Sequence, residues 1–547
     1  MANAVRVITN AKIHTMASEA DMAETMVIDR HGRIAAIGNN DTAAPFVKRG
    51  AEVIDLQGQC VLPGFYDCHL HLFWLGANLA NVDLSSPPVG TIEDIVALLT
   101  SRLNSTPESG CIQGNRYDQN RLAGQNHPDR NDLDRVSTEV PVRIVHTSGH
   151  AAVLNSAALR KIGIDRNTPD PIGGEIVRDA SGEPTGLLLE TASWMDLDRL
   201  FPVPTIEEAR TALGLANRYL LERGITSAGE ANTQPDEISM YADAVFSGAL
   251  TVRTNLMVNW AAVLARGGAV PGPGDLQPAG MDWHKLHVGQ AKLFSDGAIT
   301  TRTCWLTEAF EGVAEDALYP CGMPLHDPEE LTQMIVKAHC AGWQLATHAI
   351  GNQAIDLVLF SYAEAQKTKT RHLPGHRIEH CMLLDEGLIR RLRRQNVWSV
   401  GQPEFISRLG DAYYTALGSE RANRLSPYAS LEAAGVAQAF SSDCPVVPGA
   451  PLDGIRAAVR RATPSGAIVN DTERVSVELA AYNYTAAPAF ATRTQRDRGS
   501  LEKGKLADFV VLSEDLANMG IAAGEEAVKV RATFIGGDCV YGKDNLL

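Results

Sequence analysis

The stretch that decides the fold is Val61-Leu62-Pro63-Gly64-Phe65-Tyr66-Asp67-Cys68-His69-Leu70-His71-Leu72, an apolar run that ends in two histidines separated by one residue. Side chains alternate along a β-strand, so His69 and His71 lie on the same face, together with Asp67. Two imidazoles at the end of a strand can bind one metal ion. Two histidines with structural roles would show the same spacing, so the interpretation depends on whether the rest of the chain supplies further ligands.

The composition is that of a large globular protein, and its charge argues against some kinds of partner. The chain has 547 residues, of which 45% are hydrophobic and 21% charged, and its formal net charge is −16. It contains no basic run, which argues against nucleic acid or an anionic membrane as the partner.

The cysteines and the chain start bear on the compartment. The nine cysteines are odd in number and form no C-x-x-C pair, which favours a reduced, cytoplasmic protein. The start of the chain lacks a charged segment followed by an apolar one. No stretch approaches the roughly 18 apolar residues of a transmembrane helix. We therefore expect neither a signal peptide nor a membrane span.

The middle of the chain alternates strand and helix patterns, which predicts a parallel sheet. Helical patterns cover Glu207–Arg223, Pro328–Ala341 and Leu384–Gln395. Eight strands close a (β/α)8 barrel, so the expected fold class is α/β with a TIM-like barrel. The candidate strands are Phe65–His71, Ile225–Glu230, Val252–Val258, His287–Phe294, Gln344–His348, Arg377–His380, Val397–Gly401 and Ala437–Ser441.

Both ends of the chain carry short apolar runs typical of strands, such as Thr25–Ile28 and Val528–Ile535. The economical prediction is one β-sandwich domain built from residues 1–62 and 496–547, with the barrel at 63–495. The gap between the first two barrel strands is too long for one helical crossover, so we expect a long insertion after barrel strand 1, over approximately residues 75–205. Insertions at the carboxyl ends of barrel strands usually shape the substrate pocket; a stabilising appendage or a dimer surface is the alternative.

Polar side chains that can bind metal occur where the candidate strands end. His348 ends the fifth strand, His380 ends the sixth, and Asp443 follows the eighth. In a barrel the carboxyl ends of all strands meet at one mouth, where catalytic groups lie. Any single one could be structural, but six at the ends of five strands predict a shared metal site. The six residues are His69, His71, Lys292, His348, His380 and Asp443.

These motifs resemble the amidohydrolase superfamily, and within it the YtcJ-like (amidohydrolase 3) branch, which includes N-substituted formamide deformylases. The resemblance covers nearly the whole chain. The sequence departs from the branch at Asn115-Arg116-Tyr117-Asp118, where Gly-Trp-Asp is more common, and this changes a stretch expected to belong to the pocket wall. The motifs that carry the resemblance are Val61–His71, Gly149-His150 with Asn155–Leu159, Pro184–Glu190, Lys292-x-x-x-Asp296-Gly297, His376–His380, Ser442-Asp443 and Gly499–Asp508.

The resemblance implies a site with two divalent metal ions, expected to be Zn2+, with Mn2+ and Fe2+ as alternatives. His69, His71 and Asp443 would bind the first ion, and His348 and His380 the second. Lys292 would bridge both as the carbamate that it forms with CO2, because a carbamate is a carboxylate on a long side chain whereas an ammonium group cannot bind a cation. The alternative is an ion pair between Lys292 and Asp296 at a site with one metal.

The expected function is metal-dependent hydrolysis of an amide-type C–N bond in a small molecule, such as an N-formyl compound, an N-acyl compound or a cyclic amide. Hydroxide formed from metal-bound water would attack the carbonyl, since a bound metal lowers the pKa of water from 15.7 to about 7. Asp443 would accept a proton and pass it to the departing nitrogen. Resemblance to the family also suggests a homodimer.

Two other functions stay open at this point. One is deamination of an aminated heterocycle, but deaminases of the superfamily carry a His-x-x-Glu helper that does not follow His348 or His380 here. The other is a non-catalytic barrel scaffold, which lost ligands would indicate; none are lost.

Further residues are candidates for the substrate pocket, with core packing as the alternative for each. Arg302 could meet a substrate carboxylate. Glu379 is expected to alternate away from His380 and to be a buried strand residue. The pocket candidates are Trp74, Tyr117, His150, Glu190, Arg302 and Trp305.

Overall fold

The computed structural model describes residues 5–17, 22–105, 110–195, 197–201, 203–314, 316–371, 375–520 and 528–546. The predicted limits of the β-sandwich, 1–62 and 496–547, extend at both ends beyond these ranges. None of the helices in the described ranges combines the length and the apolar character that crossing a membrane requires.

The chain begins with short strands and one helix, and then enters the barrel. The elements of this first part are β1 (Arg6–Thr9), β2 (Lys12–His14), β3 (Met22–Ala23), β4 (Thr25–Ile28), β5 (Ile34–Gly38), α1 (Asn40–Val47), β6 (Glu52–Asp55), β7 (Cys60–Pro63), β8 (Phe65–Leu70) and α2 (Leu72–Ala80).

An insertion with its own sheet separates α2 from the rest of the barrel. Its elements are β9 (Val82–Asp83), α3 (Ile92–Ser105), β10 (Ile112–Tyr117), α4 (Arg130–Asp134), β11 (Val142–His146), β12 (Ala151–Leu154), α5 (Ser156–Ile162), β13 (Gly174–Arg178) and β14 (Pro184–Glu190).

The barrel then continues, and three strands follow it. These elements are α6 (Ile206–Leu221), β15 (Ile225–Thr233), α7 (Ile238–Phe246), β16 (Arg253–Asn259), α8 (Trp260–Ala265), β17 (Leu286–Phe294), α9 (Pro328–Cys340), β18 (Gln344–Ala349), α10 (Asn352–Thr368), β19 (Arg377–His380), α11 (Glu386–Gln395), β20 (Trp398–Gly401), α12 (Glu404–Ala422), α13 (Tyr428–Ala433), β21 (Gln438–Phe440), α14 (Pro451–Arg460), α15 (Val477–Asn483), α16 (Ala486–Ala491), β22 (Phe509–Leu512), β23 (Val530–Ile535) and β24 (Asp538–Tyr541).

Eight parallel strands form the barrel in the order β8-β15-β16-β17-β18-β19-β20-β21. The first and last strands meet through backbone bonds just beyond their ends: the Asp443 N–H donates to the His69 carbonyl at 2.8 Å, and the His71 N–H to the Cys444 carbonyl at 2.8 Å. The predicted TIM-like barrel is confirmed, and each predicted strand lies within three residues of the observed one. The ends of its strands therefore meet at one mouth.

Strands from both ends of the chain form two further sheets outside the barrel. One sheet has the order β5-β4-β1-β6, and the other has the order β24-β23-β22-β7-β2-β3. In the second sheet Val61 of β7 pairs with Val511 of β22. Ile8 from the first sheet and Val61 from the second belong to one buried apolar cluster, so the two sheets pack face to face as a sandwich.

The insertion sheet runs β13-β14-β12-β11-β10-β9 and lies against the mouth of the barrel. The Gln119 side-chain amide donates to the Thr300 carbonyl at 3.1 Å, and the Thr147 hydroxyl donates to the Val446 carbonyl at 2.9 Å. Both acceptors belong to loops that follow barrel strands, so the insertion is in a position to wall the site.

Candidate metal centre

His69 and His71 stand at the end of β8, where the barrel closes. The carboxylate oxygen Oδ1 of Asp443 lies 3.3 Å from His69 Nε2 and 3.1 Å from His71 Nε2. Asp443 has a left-handed backbone, with φ of 59°, and its N–H is bonded to the His69 carbonyl. The closure of the barrel thus fixes these three side chains relative to one another, although Asp443 is far from the histidines in sequence.

The ring of His69 is oriented by Glu379 on β19. Nδ1 of His69 lies 2.5 Å from Glu379 Oε2, and the guanidinium of Arg377 donates two bonds of 2.8 Å to the same carboxylate. Burial acts to raise the pKa of Glu379, but Arg377 and His69 overcome it and hold that pKa well below its usual range. An ionised carboxylate requires a proton on Nδ1, so Nε2 of His69 presents a lone pair to Asp443.

His380 is oriented in a similar way. Its Nδ1 lies 2.8 Å from Oε1 of Gln402, an oxygen that can only accept, so Nε2 carries the lone pair. Its ring centroid lies 5.0 Å from that of His69 and 4.5 Å from that of His348. Burial lowers the pKa of His380 to about 3, with the neighbouring His69 and Lys292 adding to the effect, so the ring is neutral and able to bind a cation.

His348 uses its other nitrogen. Its Nε2 lies 3.1 Å from the carbonyl of Gly297 and 3.5 Å from Oδ1 of Asp296, so Nε2 carries the proton and Nδ1 carries the lone pair. Asp296 in turn accepts the backbone N–H groups of Trp305, Ile350 and Gly351 at 2.8 to 3.1 Å.

Lys292 on β17 is buried beside these rings, with its Nζ 3.4 Å from His69 Nε2. Burial lowers its pKa to about 8, although Glu379 and Asp443 act in the opposite direction. No ion pair joins Lys292 to Asp296 in the described part of the chain, where Asp296 is occupied by backbone amides and His348. The amine is therefore close to the histidines and readily loses its proton.

These contacts fit a cation. Asp443 Oδ1 is buried and accepts no hydrogen bond from the described residues. The two nearest nitrogens are Nε2 of His69, which presents a lone pair, and Nε2 of His71, which can present one. Lone pairs that face each other across about 3 Å repel unless a cation lies between them. His69, His380 and Asp443 bring one ligand atom each within 4.8 Å of one another, and all three are buried. Imidazole and carboxylate are the ligands of zinc and similar divalent ions.

His150 and Glu190, both from the insertion, reach the same cluster. The His150 ring lies 5.2 Å from that of His348, and its Nδ1 lies 2.6 Å from Glu190 Oε2. Burial acts against the charged form of His150, but Glu190 outweighs it and raises the pKa of His150. Thr303 donates to the other oxygen of Glu190. This pair therefore forms part of the wall of the site.

The remaining pocket candidates lie at different distances from the histidines. Trp74 meets the ring of His71 edge-on, with the ring centroids 5.4 Å apart. Trp305 is half-buried, and its backbone N–H donates to the carboxylate of Asp296. Arg302 is exposed. Tyr117 is fully buried in the core of the insertion, with its hydroxyl 3.0 Å from His127. The structure thus brings Trp74 and Trp305 to the site and places Tyr117 within the insertion.

The contacts that several polar residues make around the ligands were not predicted from the sequence. Ser442 donates to Asp67 through its backbone and its hydroxyl, which holds the segment before Asp443. Glu230 accepts the N–H of Leu72 at 2.6 Å, just after His71. The alternation that placed Asp67 on the face of His69 was the available signal for Asp67, whereas nothing local marks Glu230.

Comparisons with known proteins agree with this site. The profile of the amidohydrolase family matches residues 52–541. The chain is 31% identical over 549 residues to the putative amidohydrolase YtcJ of Bacillus subtilis strain 168, covering 97% of this chain and 98% of that protein. It is 29% identical over 546 residues to an N-substituted formamide deformylase of Arthrobacter pascens, covering 98% of each.

Solved structures agree as well. A crystal structure of an uncharacterized metal-dependent hydrolase from Pyrococcus horikoshii superposes with a TM-score of 0.74 at 26% identity, covering 94% of this chain and 98% of that one. The predicted resemblance is confirmed, and so is the prediction of an enzyme rather than a non-catalytic scaffold. The chain belongs to the amidohydrolase family, in the branch that contains YtcJ, and is a metal-dependent hydrolase.

Proposed function

We propose that the chain hydrolyses an amide-type C–N bond of a small molecule, such as an N-formyl compound, an N-acyl compound or a cyclic amide. The observation that carries the proposal is the position of Asp443, whose buried Oδ1 faces the Nε2 atoms of His69 and His71 at 3.3 and 3.1 Å. The similarity to an N-substituted formamide deformylase supports this class of bond.

The residues present can hold two divalent ions, which we take to be Zn2+. His69, His71 and Asp443 would bind one ion, and Nδ1 of His348 and Nε2 of His380 the other. When bound, such ions lower the pKa of water and polarise a carbonyl oxygen. The chain's own contribution is to fix the ring orientations beforehand, through Glu379 and the other acceptors described above.

Lys292 would complete the site as a carbamate. Its neutral amine forms a bond from Nζ to the carbon of CO2 and releases a proton, which leaves an anionic group with two oxygens. The lowered pKa, about 8, makes the neutral amine accessible near physiological pH. A negative group at this position would also offset the positive charge that a metal site concentrates in a buried volume.

Asp443 is the residue placed to move protons. Its pKa lies well below its usual range: burial acts to raise it, but the closeness of the His69, His71 and His380 rings outweighs burial. It is therefore ionised and can accept a proton at a carboxylate oxygen when the carbonyl is attacked, and then deliver that proton to the departing nitrogen. Such proton transfer is worth about 10²–10⁴-fold in rate.

The test is an activity screen of the metal-loaded protein against N-formyl amines, N-acyl amino acids, cyclic amides and aminated heterocycles. We expect release of a carboxylate and an amine, or ring opening of a cyclic amide. Asp443→Asn should retain the fold and lose at least about 10²-fold in kcat. Release of ammonia from the heterocycles alone would show a deaminase instead, and near-normal turnover of Asp443→Asn would remove the proposed proton transfer.

A further inference from the structure

A cavity of about 240 Å3 lies where the insertion meets the barrel. Its walls come from α2, the end of β10, Tyr219 on α6 and the loop Cys444–Pro448. That loop directly follows Asp443 and holds the first histidine pair, because the carbonyl of Cys444 accepts the N–H of His71. The same loop therefore lines the cavity and contacts the candidate metal centre.

Buried polar groups in the wall of this cavity lack partners. Asn78 is 8% exposed, and both atoms of its amide group find no hydrogen bond among the described residues. Asn115 is 1% exposed, and its Nδ2 is unpaired there as well. The Nε atom of Arg116 is also buried without a hydrogen-bond partner among the described residues. Buried polar groups are almost always bonded, so three unpaired donors around one cavity indicate a bound acceptor.

Two arginines lie beside this cavity. The guanidinium of Arg223 lies 3.4 Å over the ring of Tyr219, whose hydroxyl donates to the Pro448 carbonyl at 2.8 Å. Arg116 lines the cavity itself, so two guanidinium groups lie on this side of the loop.

One acidic side chain opposes these two cations in the wall. Asp83 lies 3.5 Å from Nη1 of Arg116 and is more than half exposed to solvent. Two buried carboxylates also flank the loop, because Asp67 accepts the N–H of Ser442 and Glu404 accepts the N–H of Gly449. The case for an anion therefore rests on the three unpaired donors and on the guanidinium of Arg116, which binds carboxylates well, rather than on the sum of charges.

The backbone at Arg116 is held in an unusual conformation. Its φ is 73°, in the left-handed region that favours glycine, and the pairing of β10 with β11 shifts register between Asn115 and Tyr117. Bulges and strained backbone conformations often occur at functional sites, where they set the direction of a side chain. This is also the stretch in which the sequence departs from the family branch.

We propose that this cavity binds a small carboxylate. Arg116 can hold a carboxylate through two parallel N–H bonds, and the amide groups of Asn78 and Asn115 can complete the coordination. At about 30 Å3 per water molecule, the volume corresponds to roughly eight waters, which suits an anion of a few carbon atoms. If the proposed amide hydrolysis is correct, the ligand has the chemistry of a reaction product; the binding itself does not depend on that reaction.

The test is calorimetric titration of the metal-loaded protein with formate and with acetate at constant ionic strength, with chloride and phosphate titrated in parallel. We expect saturable binding of one carboxylate in this cavity. Arg116→Gln should weaken that binding at least tenfold, and Asn78→Asp should abolish it by placing a negative charge in the wall. Arg121→Gln is the matched control, because that guanidinium lies outside the cavity wall and donates to the carbonyls of Ser86 in the insertion and Arg408 on α12.

The outcomes separate this proposal from the proposed function. Carboxylate binding that is equal in Arg116→Gln, Asn78→Asp and the unmodified protein would place the anion at the metal centre and overturn the proposal. Absence of saturable binding would overturn it too, as would binding of phosphate in preference to carboxylate. Binding that depends on Asn78 supports the proposal even if Arg116→Gln does not fold, and even if no amide is hydrolysed.

Discussion

The carboxylate of Glu379 shows how a residue that binds no metal can decide metal affinity. It lies 310 positions from His69 in sequence and fixes the proton on that ring. In Glu379→Gln the side chain keeps its shape but loses its charge, so His69 Nε2 becomes less basic and the ring less firmly oriented. We expect metal affinity to fall by about 10- to 100-fold, as seen for partners of ligating histidines in general. Competition with a chelator measures it.

A matched variant separates this effect from a change of charge elsewhere. Glu386→Gln removes an exposed carboxylate at the start of α11, where the side chain is 92% exposed and pairs with Arg390. That variant should bind metal like the unmodified protein. Equal affinity in both variants would show that Glu379 does not act on His69.

Lys292 gives a second prediction at this scale. After bicarbonate is removed and metal is stripped, reloading without CO2 should restore fewer metal ions per chain and less activity than reloading with bicarbonate. Lys292→Ala should not respond to bicarbonate at all, because it has no amine to carboxylate. A fully metallated and active Lys292→Ala would exclude the carbamate from the mechanism.

At the scale of elements, α2 and α6 touch through a glycine. A Cβ added at Gly76 of α2 would lie 2.0 Å from the carbonyl oxygen of Ala212 on α6. Gly76→Ala therefore forces the helices apart, and we expect it to destabilise the fold by about 1–3 kcal/mol. Because α2 follows His71 directly, the variant should also lower metal affinity. Urea unfolding and a metal titration measure the two effects.

The control lies on the partner helix. At Gly214 of α6 a Cβ would meet Ala249 only at 3.9 Å, an ordinary contact. Gly214→Ala should be neutral or stabilising by up to about 1 kcal/mol, because alanine is a better helix former than glycine. Destabilisation of both variants by the same amount would mean that helix packing is not the cause.

The elements themselves could be predicted because local signals define them. Val252–Val258 and Gln344–His348 are apolar runs bounded by turn residues, and the structure places strands at Arg253–Asn259 and Gln344–Ala349. The limits differ by one residue because a strand ends where its neighbour stops pairing, which the run itself does not record.

Other features depend on contacts between distant residues and could not be predicted. Glu379 was expected to face away from His380, yet both side chains reach the ring of His69. The alternation fails because His380 has a left-handed backbone, with φ of 70°, at the end of β19. Gln402 follows a different strand, so its role for His380 appears only after the barrel has closed.

On the scale of the whole molecule, one buried ion pair joins the barrel to the β-sandwich. Arg253 at the start of β16 donates to both carboxylate oxygens of Asp508, at 2.6 and 2.9 Å, with 8% and 4% of the two side chains exposed. Asp508→Asn leaves the guanidinium buried without its charge partner. We expect a loss of about 3–5 kcal/mol in unfolding free energy, measured by denaturant titration.

The same pair predicts a dependence on pH. Burial acts to raise the pKa of Asp508, but Arg253 holds it below its ordinary value of about 3.9. The carboxylate is thus more acidic in the folded chain than in the unfolded one. Its stabilising contribution is complete above about pH 5 and is lost as the pH falls through the folded value. Between pH 5 and 3 the unmodified protein should lose stability more steeply than Asp508→Asn; parallel curves would contradict this origin.

The homodimer, the cytoplasmic location and the exact limits of the domains stay predictions, because they concern the molecule's surroundings or its boundaries rather than its packing. The metal identity also stays a prediction, since histidine and carboxylate accept several divalent ions.

The place where the first and last barrel strands meet matters while the chain is being synthesised. The bonds that join β8 to the segment after β21 are made by the same short segments that carry His69, His71 and Asp443. After the ribosome has synthesised His69 and His71, some 370 further residues must follow before Asp443, their carboxylate partner, is made. Until then a growing chain holds unmatched imidazoles that can take up stray metal, and catalytic competence arrives only when the ring of strands is closed.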